Sequence, residues 1–353
     1  MQQIHGGDWA GYRAEYGAMP LDFSANISPL GVPEGVRRAV SEAVCSADRY
    51  PDPLCRALCA GIGEHHHVPP SWILCGSGAA DLIYRLALAL QPRRALITAP
   101  TFGEYEQALH LTGCAVQKWP LRPEEGFALA PAFLEALVPG LDVAILCEPN
   151  NPTGITTEPT LLRRILARCV ENNILLMVDE CFTDLLPCPE NHTLLGELSG
   201  HANLLLLRAF TKQYALAGVR LGYALSSNGA LLDAMRASGP PWAVSTLAQA
   251  AGLAALKETA YVKAMRTLLA AERPYLRDGL AAFDCRRISG EANYLFFSHA
   301  DTRLAEKMRR NGVLLRDCSN YEILSPGWYR AAVRGREEND MFLQAMKEAL
   351  SNG

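Results

Sequence analysis

Between about residues 41 and 259 the chain alternates short, unbroken apolar runs with longer stretches of helical periodicity. The runs are Trp72–Cys75, Ala95–Ala99, Cys114–Trp119, Val143–Cys147, Ile174–Val178, Leu204–Leu207 and Leu221–Leu225. Each has the length of a strand, and none alternates polar with apolar positions. Such strands are covered on both faces, which predicts a mainly parallel, seven-stranded sheet within an α/β layer. Ala80–Leu90 reads as the helix that follows the first run. The stretch from Thr246 to about Phe283 reads as one long helical segment, with a kink or break at Pro274. The pattern then changes. Strand candidates Cys285–Ile288, Tyr294–Ser298, Val313–Arg316 and Tyr329–Val333 alternate with helices Thr302–Arg310 and Glu337–Leu350, which predicts a small α+β domain.

With 353 residues and 49% hydrophobic content, the chain can bury a large core and more than one compact unit. A net charge of −4 with interspersed signs gives no support to nucleic-acid or anionic-membrane binding. No apolar run approaches the roughly 20 residues of a membrane span. The start, Met1-Gln-Gln-Ile-His-Gly-Gly7, lacks a basic-then-apolar signal pattern. The eleven cysteines are scattered through apolar segments and read as small buried hydrophobes in a reducing compartment. Cys55 and Cys59 share a helix face, but no second pair follows at zinc spacing. His65-His66-His67 reads as a polar helix end before Pro69-Pro70. These features predict a soluble cytoplasmic protein without a metal site.

The chemistry is carried by four segments. Lys212 lies just past the run Leu204–Leu207, at the mouth of the predicted sheet. Partial desolvation there lowers an amine's pKa and suits it to Schiff-base formation. Arg220, eight residues on, offers a planar cation for a phosphate. Gly76-Ser77-Gly78-Ala79 precedes a predicted helix, where backbone N–H groups and the helix dipole converge on an anion, although the same residues also suit a plain turn. Glu148-Pro-Asn-Asn-Pro-Thr-Gly154 follows the run Val143–Cys147 and reads by itself as a Pro/Asn/Gly turn. Asp179 closes the run Ile174–Val178. A carboxylate at a buried strand end needs a cationic partner or serves as a cap.

Together these segments resemble the fold-type I enzymes dependent on pyridoxal 5′-phosphate (PLP), the aspartate aminotransferase superfamily. Asn151, Asp179, Lys212 and Arg220 follow the family's order, at separations of 28, 33 and 8 residues. The resemblance covers nearly the whole chain. It implies that Lys212 holds PLP covalently and that Asp179 pairs with the pyridine nitrogen, keeping the ring an electron sink. It further implies that Phe102 stacks on the ring and Asn151 contacts the ring hydroxyl. Gly76, Ser77, Gly78, Thr211 and Arg220 would hold the cofactor phosphate. Tyr50 would reach the cofactor phosphate of a neighbouring subunit, so a homodimer is expected. The family sets the N-terminal segment against the C-terminal domain. The expected division is therefore 41–259 for the large PLP-binding domain, with 1–40 and 260–353 forming the small one.

Within the superfamily, His5-Gly-Gly7 and Leu21-Asp-Phe-Ser-Ala-Asn-Ile-Ser-Pro-Leu-Gly31 resemble the L-threonine-O-3-phosphate decarboxylases of cobalamin biosynthesis. Leu315-Arg-Asp-Cys-Ser-Asn-Tyr321 agrees with that group. Trp328-Tyr-Arg-Ala-Ala-Val-Arg-Gly-Arg336 is shared with histidinol-phosphate aminotransferases. Phe182 stands where those aminotransferases usually carry a tyrosine, and phenylalanine cannot donate a hydrogen bond to the ring hydroxyl. The resemblance implies that His5, Asn26, Arg316 and Arg330 fix the two anions of a small phosphorylated amino acid. Threonine phosphate is the expected substrate. Two other activities stay open, decarboxylation of serine phosphate and histidinol-phosphate transamination, because reaction choice rests on positioning and one methyl group gives little discrimination. A PLP-sensing regulator is a further alternative. Such proteins carry an added DNA-binding domain, whereas this net-acidic sequence starts at a small-domain motif.

Overall fold

A computed structural model describes residues 5–351. Residues 1–4 and 352–353, which belong to the expected small-domain segments and to the N-terminal pattern read above, lie outside the described residues. The strands in chain order are β1 (Leu21–Asp22), β2 (Ile73–Gly76), β3 (Arg94–Ala99), β4 (Ala115–Pro120), β5 (Val143–Cys147), β6 (Leu175–Asp179), β7 (Leu204–Ala209), β8 (Gly222–Leu225), β9 (Arg286–Ser289), β10 (Tyr294–Ser298), β11 (Val313–Leu314), β12 (Arg316–Asp317) and β13 (Trp328–Ala332).

Seven of them form one sheet in the order β2-β8-β7-β6-β5-β3-β4. The ladders from β7 through β4 are parallel, and β8 runs antiparallel to both β7 and β2. The unbroken apolar runs follow from coverage on both faces. Leu204, Leu206, Leu176 and Val178 pack with Leu58, Ile62, Leu161 and Ile165 on one face. Leu205, Leu207, Leu175 and Met177 pack with Leu82, Leu86, Leu109 and Met235 on the other. Only the edge strand β4 departs from this burial, with exposed and half-buried positions alternating along its first half.

A second sheet, β12-β13-β10-β9, and the parallel pair β1-β11 lie around another core. Phe23 joins Met265, Leu276, Leu280, Phe342 and Met346 there. The N-terminal segment thus packs with the C-terminal elements through β1 and Phe23. Helix Glu34–Ala43 does not follow it, because its Val36 is buried in the core of the large sheet. The expected division after residue 40 therefore cuts through a helix that packs on the large sheet.

Two further expectations are corrected. Helix Thr259–Ala281 continues through Pro274 without a break, and the interruption falls at residues 256–258, after helix Thr246–Ala255. Proline removes one N–H donor, but Met265, Leu269, Leu276 and Leu280 on either side are buried and hold the helix to its core. The run Val313–Arg316 is not one strand. Its first half pairs with β1 and its second with β13, so the chain changes sheets at Leu315. Among the described residues, no helix is long and apolar enough to cross a membrane.

Candidate active site

The carboxyl ends of β5, β6 and β7 converge beside a cavity of about 400 Å³, the position where open α/β sheets bind ligands. Register explains the convergence. Cys147 lies opposite Asp179, and Asp179 opposite Leu207. The chain leaving each strand end therefore enters one crevice. Lys212, Thr211, Asp179, Asn151, Arg220, Phe102, His5, Asn26, Arg316 and Arg330 all line it.

Lys212 sits in a single helical turn, Phe210–Gln213, directly after β7. Burial, with the positive charge of Arg330 next, pulls its amine down to about 8. Its Nζ lies 5.5 Å from the centre of the Phe182 ring. The Lys212 carbonyl accepts from Ser28 N at 2.9 Å, which ties the N-terminal segment to the lysine turn. Asp179 is buried, and burial raises its carboxyl above the ordinary range. Hydrogen bonds from Tyr105 Oη at 2.7 Å and Cys181 N at 3.0 Å work against that shift.

Asn150 and Asn151 have divided roles. Asn150 braces the turn, donating to the Pro100 carbonyl and accepting from Thr101 Oγ1. Asn151 accepts from Arg330 Nη1 through its Oδ1, which leaves Nδ2 as its donor toward the cavity. Arg330 also donates to the Ser24 carbonyl at 2.9 Å, and its buried Nε has no partner. Both amide atoms of the buried Asn26 are likewise unpaired. Arg316 donates to Asn320 Oδ1 at 2.9 Å and lies against the Tyr321 ring.

At the turn before helix Ala79–Leu90, Gly76, Ser77 and Gly78 do not face the cavity themselves; Ala79 and Ala80 do. Ser77 N is held by Asp81 Oδ2 at 2.9 Å. A side chain at Gly76 would collide with Leu82, so that glycine serves packing. Gly78 has φ of 85° and touches the Arg220 guanidinium. Tyr50 lies outside the cavity, 80% exposed and stacked on Trp242 at 4.5 Å. Sequence reasoning missed Ser24, Glu104, Tyr105, Cys181 and Tyr321. Tyr105 carried no signal, because its partner Asp179 is 74 positions away. Glu104 could have been suspected from its place two residues after Phe102.

This fold, with a buried lysine and a strand-end aspartate at one crevice, defines a PLP-type aminotransferase scaffold. The chain belongs to the aminotransferase class I and II family, which it matches over residues 18–346. It is 38% identical to the threonine-phosphate decarboxylase of Salmonella typhimurium, over 98% of this chain and 96% of that one. It is 30% identical to the histidinol-phosphate aminotransferase of Nitratidesulfovibrio vulgaris, over 94% of this chain and 88% of that one. The solved histidinol-phosphate aminotransferase of Clostridium acetobutylicum superposes with a TM-score of 0.87 at 26% identity, covering 94% of this chain and 99% of that one.

Enzymes of this family are PLP-dependent, and the residues present fit that group. The buried Asp179 carboxylate suits a pyridinium. The helix start beside Gly78 and Arg220 suits a phosphate. The lowered amine of Lys212 suits the aldehyde.

Proposed function

We propose that the protein decarboxylates L-threonine O-3-phosphate, giving (R)-1-amino-2-propanol O-2-phosphate and carbon dioxide, for the nucleotide loop of cobalamin. The observation that carries this reading is the pair Arg316 and Arg330, both buried on the cavity wall that also presents Lys212. Buried guanidinium groups need anions, and a phosphorylated amino acid brings two.

Bound PLP supplies an aldehyde that takes up the substrate amine and a ring that accepts the electron pair of a breaking bond. Lys212 Nζ would anchor the cofactor through its aldehyde. Asp179 holds the proton at the pyridine nitrogen, and Tyr105 and Cys181 N hold Asp179 in place. Thr211, Arg220 and the helix start at Ala79 would hold the cofactor phosphate, Phe102 would cover the ring, and Asn151 Nδ2 would donate to the ring hydroxyl. Arg330 and Asn26 carry unpaired buried atoms, which suits them to the substrate carboxylate deep in the cavity. Arg316 and His5 take the phosphate. The bond from Cα to the carboxylate carbon breaks, carbon dioxide leaves, and a proton replaces it at Cα. Arg330, Asn26, Arg316 and His5 would choose that bond by orienting the two anions of the substrate, which is positioning rather than new chemistry.

Phe182 supports decarboxylation over transamination, since it lines the cavity without a donor. The higher identity to a decarboxylase than to an aminotransferase points the same way. The exposed Tyr50–Trp242 pair supports a homodimer in which Tyr50 reaches the neighbouring cofactor phosphate. The proposed compartment is the cytoplasm. The test is incubation of the holoenzyme with threonine phosphate, serine phosphate and histidinol phosphate, following carbon dioxide and amine products. Release of carbon dioxide fastest from threonine phosphate is expected. Pyridoxamine phosphate from histidinol phosphate, without carbon dioxide from either amino acid, overturns the reading.

A further inference from the structure

Among the described residues, two acids line the cavity, Asp179 and Glu104. The proposed chemistry gives Asp179 a cationic partner and leaves Glu104 without a task. A free carboxylate facing a site for a doubly anionic substrate would oppose binding. Glu104 is not free. Its side chain is 13% exposed, and each oxygen is engaged. Oε1 pairs with His5 Nε2 at 2.8 Å, and Oε2 accepts from Tyr84 Oη at 2.7 Å.

The two ends of this contact belong to different parts of the fold. Tyr84 and Glu104 stand on helices Ala79–Leu90 and Glu104–His110, against the large sheet. His5 belongs to the N-terminal segment, which is fastened near β1. There Gly7 N donates to Ser24 Oγ at 2.7 Å, and Ser24 Oγ donates to Asp22 Oδ1 at 2.6 Å. A side chain at Gly6 would lie 2.2 Å from the Ser24 carbonyl oxygen, so the segment passes flush against Ser24. Fastened at one end by Ser24 and at the other by Glu104, the His5 ring is held at the cavity wall, 6.0 Å from the Phe102 ring.

We propose that Glu104 is a positioning residue that sets the His5 ring to bind the substrate phosphate. This inference rests on the reading that the substrate carries a phosphate. An ionised carboxylate can only accept, so its contact places a hydrogen on Nε2. Among the described residues, the other ring nitrogen has no protein partner. A phosphate arriving there finds a ring whose orientation is already fixed, and the protonated ring can donate its second N–H to it. A carboxylate behind a histidine orients metal-bound imidazoles in the same way. Tyr84 holds the carboxylate in turn, and burial together with this bond lifts the Tyr84 hydroxyl to about 12, so it stays a donor. The arrangement also turns an unfavourable charge into a useful one. Without His5, Glu104 would repel the phosphate that Arg316 attracts.

The test is Glu104→Gln in the holoenzyme, alone and combined with His5→Ala. Glutamine keeps the size of the side chain and a bond to Tyr84 but removes the charge. KM for threonine phosphate is expected to rise about tenfold, the scale of one charge-assisted hydrogen bond, with the change falling on KM rather than kcat. In the His5→Ala background the same substitution should cost nothing and recover part of the lost affinity, because the unpaired carboxylate no longer repels the phosphate, and with His5 present Glu104→Asp should keep part of the affinity that Glu104→Gln loses. A second arm uses inorganic phosphate alone, titrated onto the holoenzyme. Its affinity should fall about tenfold in Glu104→Gln and no further in the double variant. Full additivity of the two substitutions in either arm overturns the proposal, because Glu104 would then act without His5. Unchanged KM and phosphate affinity overturn it too, as does a loss tracked by a lower Tm. If the wild-type holoenzyme releases no carbon dioxide from threonine phosphate, the decarboxylase reading fails, and the phosphate arm still decides the role of Glu104.

Discussion

Replacing Gly78 by alanine tests whether the turn ahead of helix Ala79–Leu90 cradles a phosphate. Gly78 has φ of 85° and ψ of 166°, a region almost reserved for glycine. Holding a residue with a Cβ there costs about 1–3 kcal/mol. The new Cβ would also lie 2.6 Å from Arg220 Nη2, well inside contact distance. Arg220 has little backbone freedom with which to retreat, since its own φ is 59°. The cofactor-free variant relieves both strains by opening the turn and swinging the guanidinium away. The loaded form cannot, if turn and guanidinium hold the same phosphate. The strain then appears as lost PLP affinity, roughly 5- to 150-fold for about 1–3 kcal/mol. Equilibrium dialysis of PLP against the cofactor-free protein measures this, with Tm recorded alongside. Gly196→Ala is the control, because its added Cβ meets nothing within 4 Å. A Gly78→Ala protein with a lowered Tm but wild-type PLP affinity would refute the reasoning and move the phosphate elsewhere.

Asp179→Asn should keep PLP bound but slow single-turnover release of carbon dioxide by roughly 10²-fold, for about 3 kcal/mol of lost charge stabilisation; near-normal turnover counts against its role. Because burial holds the Lys212 amine at about 8, PLP capture by the cofactor-free protein, followed by borohydride fixation, should quicken from pH 7 to 9 as the neutral amine gains and then level off; a flat profile contradicts this. Glu148 is buried and held up to about 8 by burial, against an ordinary 4.5. The fold therefore binds a proton that the unfolded chain has released, stability falls as pH rises through that window, and Glu148→Gln should raise Tm more at pH 8 than at pH 5. Mixing inactive Tyr50→Ala with inactive Lys212→Ala chains should restore part of the activity in mass-verified heterodimers; absence of rescue removes Tyr50 from the neighbouring site.

The large sheet was legible because its strands are buried on both faces, so Leu204–Leu207 and Val143–Cys147 left unbroken apolar runs. The chain order of Asn151, Asp179, Lys212 and Arg220 was legible for a related reason, since each lies at or within a few residues of the end of a strand of that sheet. Contacts made across the fold left no such trace. Tyr105 reaches Asp179, Glu104 reaches His5, and Arg330 reaches Asn151 over 179 positions, with no periodicity linking the partners. Gly76 and Gly78 look alike in sequence but differ in purpose, one making room for Leu82 and the other for Arg220. The change of sheets at Leu315 was invisible because both halves of Val313–Arg316 are apolar or buried. Pro274 does not break its helix because a proline's lost hydrogen bond is a local signal, whereas the burial that holds the helix around it is not.

The change of sheets at Leu315 has a consequence for how the enzyme is made. Every strand of the large sheet lies before residue 226, so a growing chain has Asp179, Lys212 and Arg220 in hand early. The opposite wall waits. Ser24 and Asn26 are synthesised among the first residues, yet strand β1 just before them has no strand partner until Val313 and Leu314 emerge. Arg316 and Arg330 arrive at the same late stage. On the proposed assignment, a nascent chain would acquire the residues for the cofactor before the full set for the substrate. Translation stopped near residue 300 should leave a PLP-accepting fragment that cannot yet select what it acts upon.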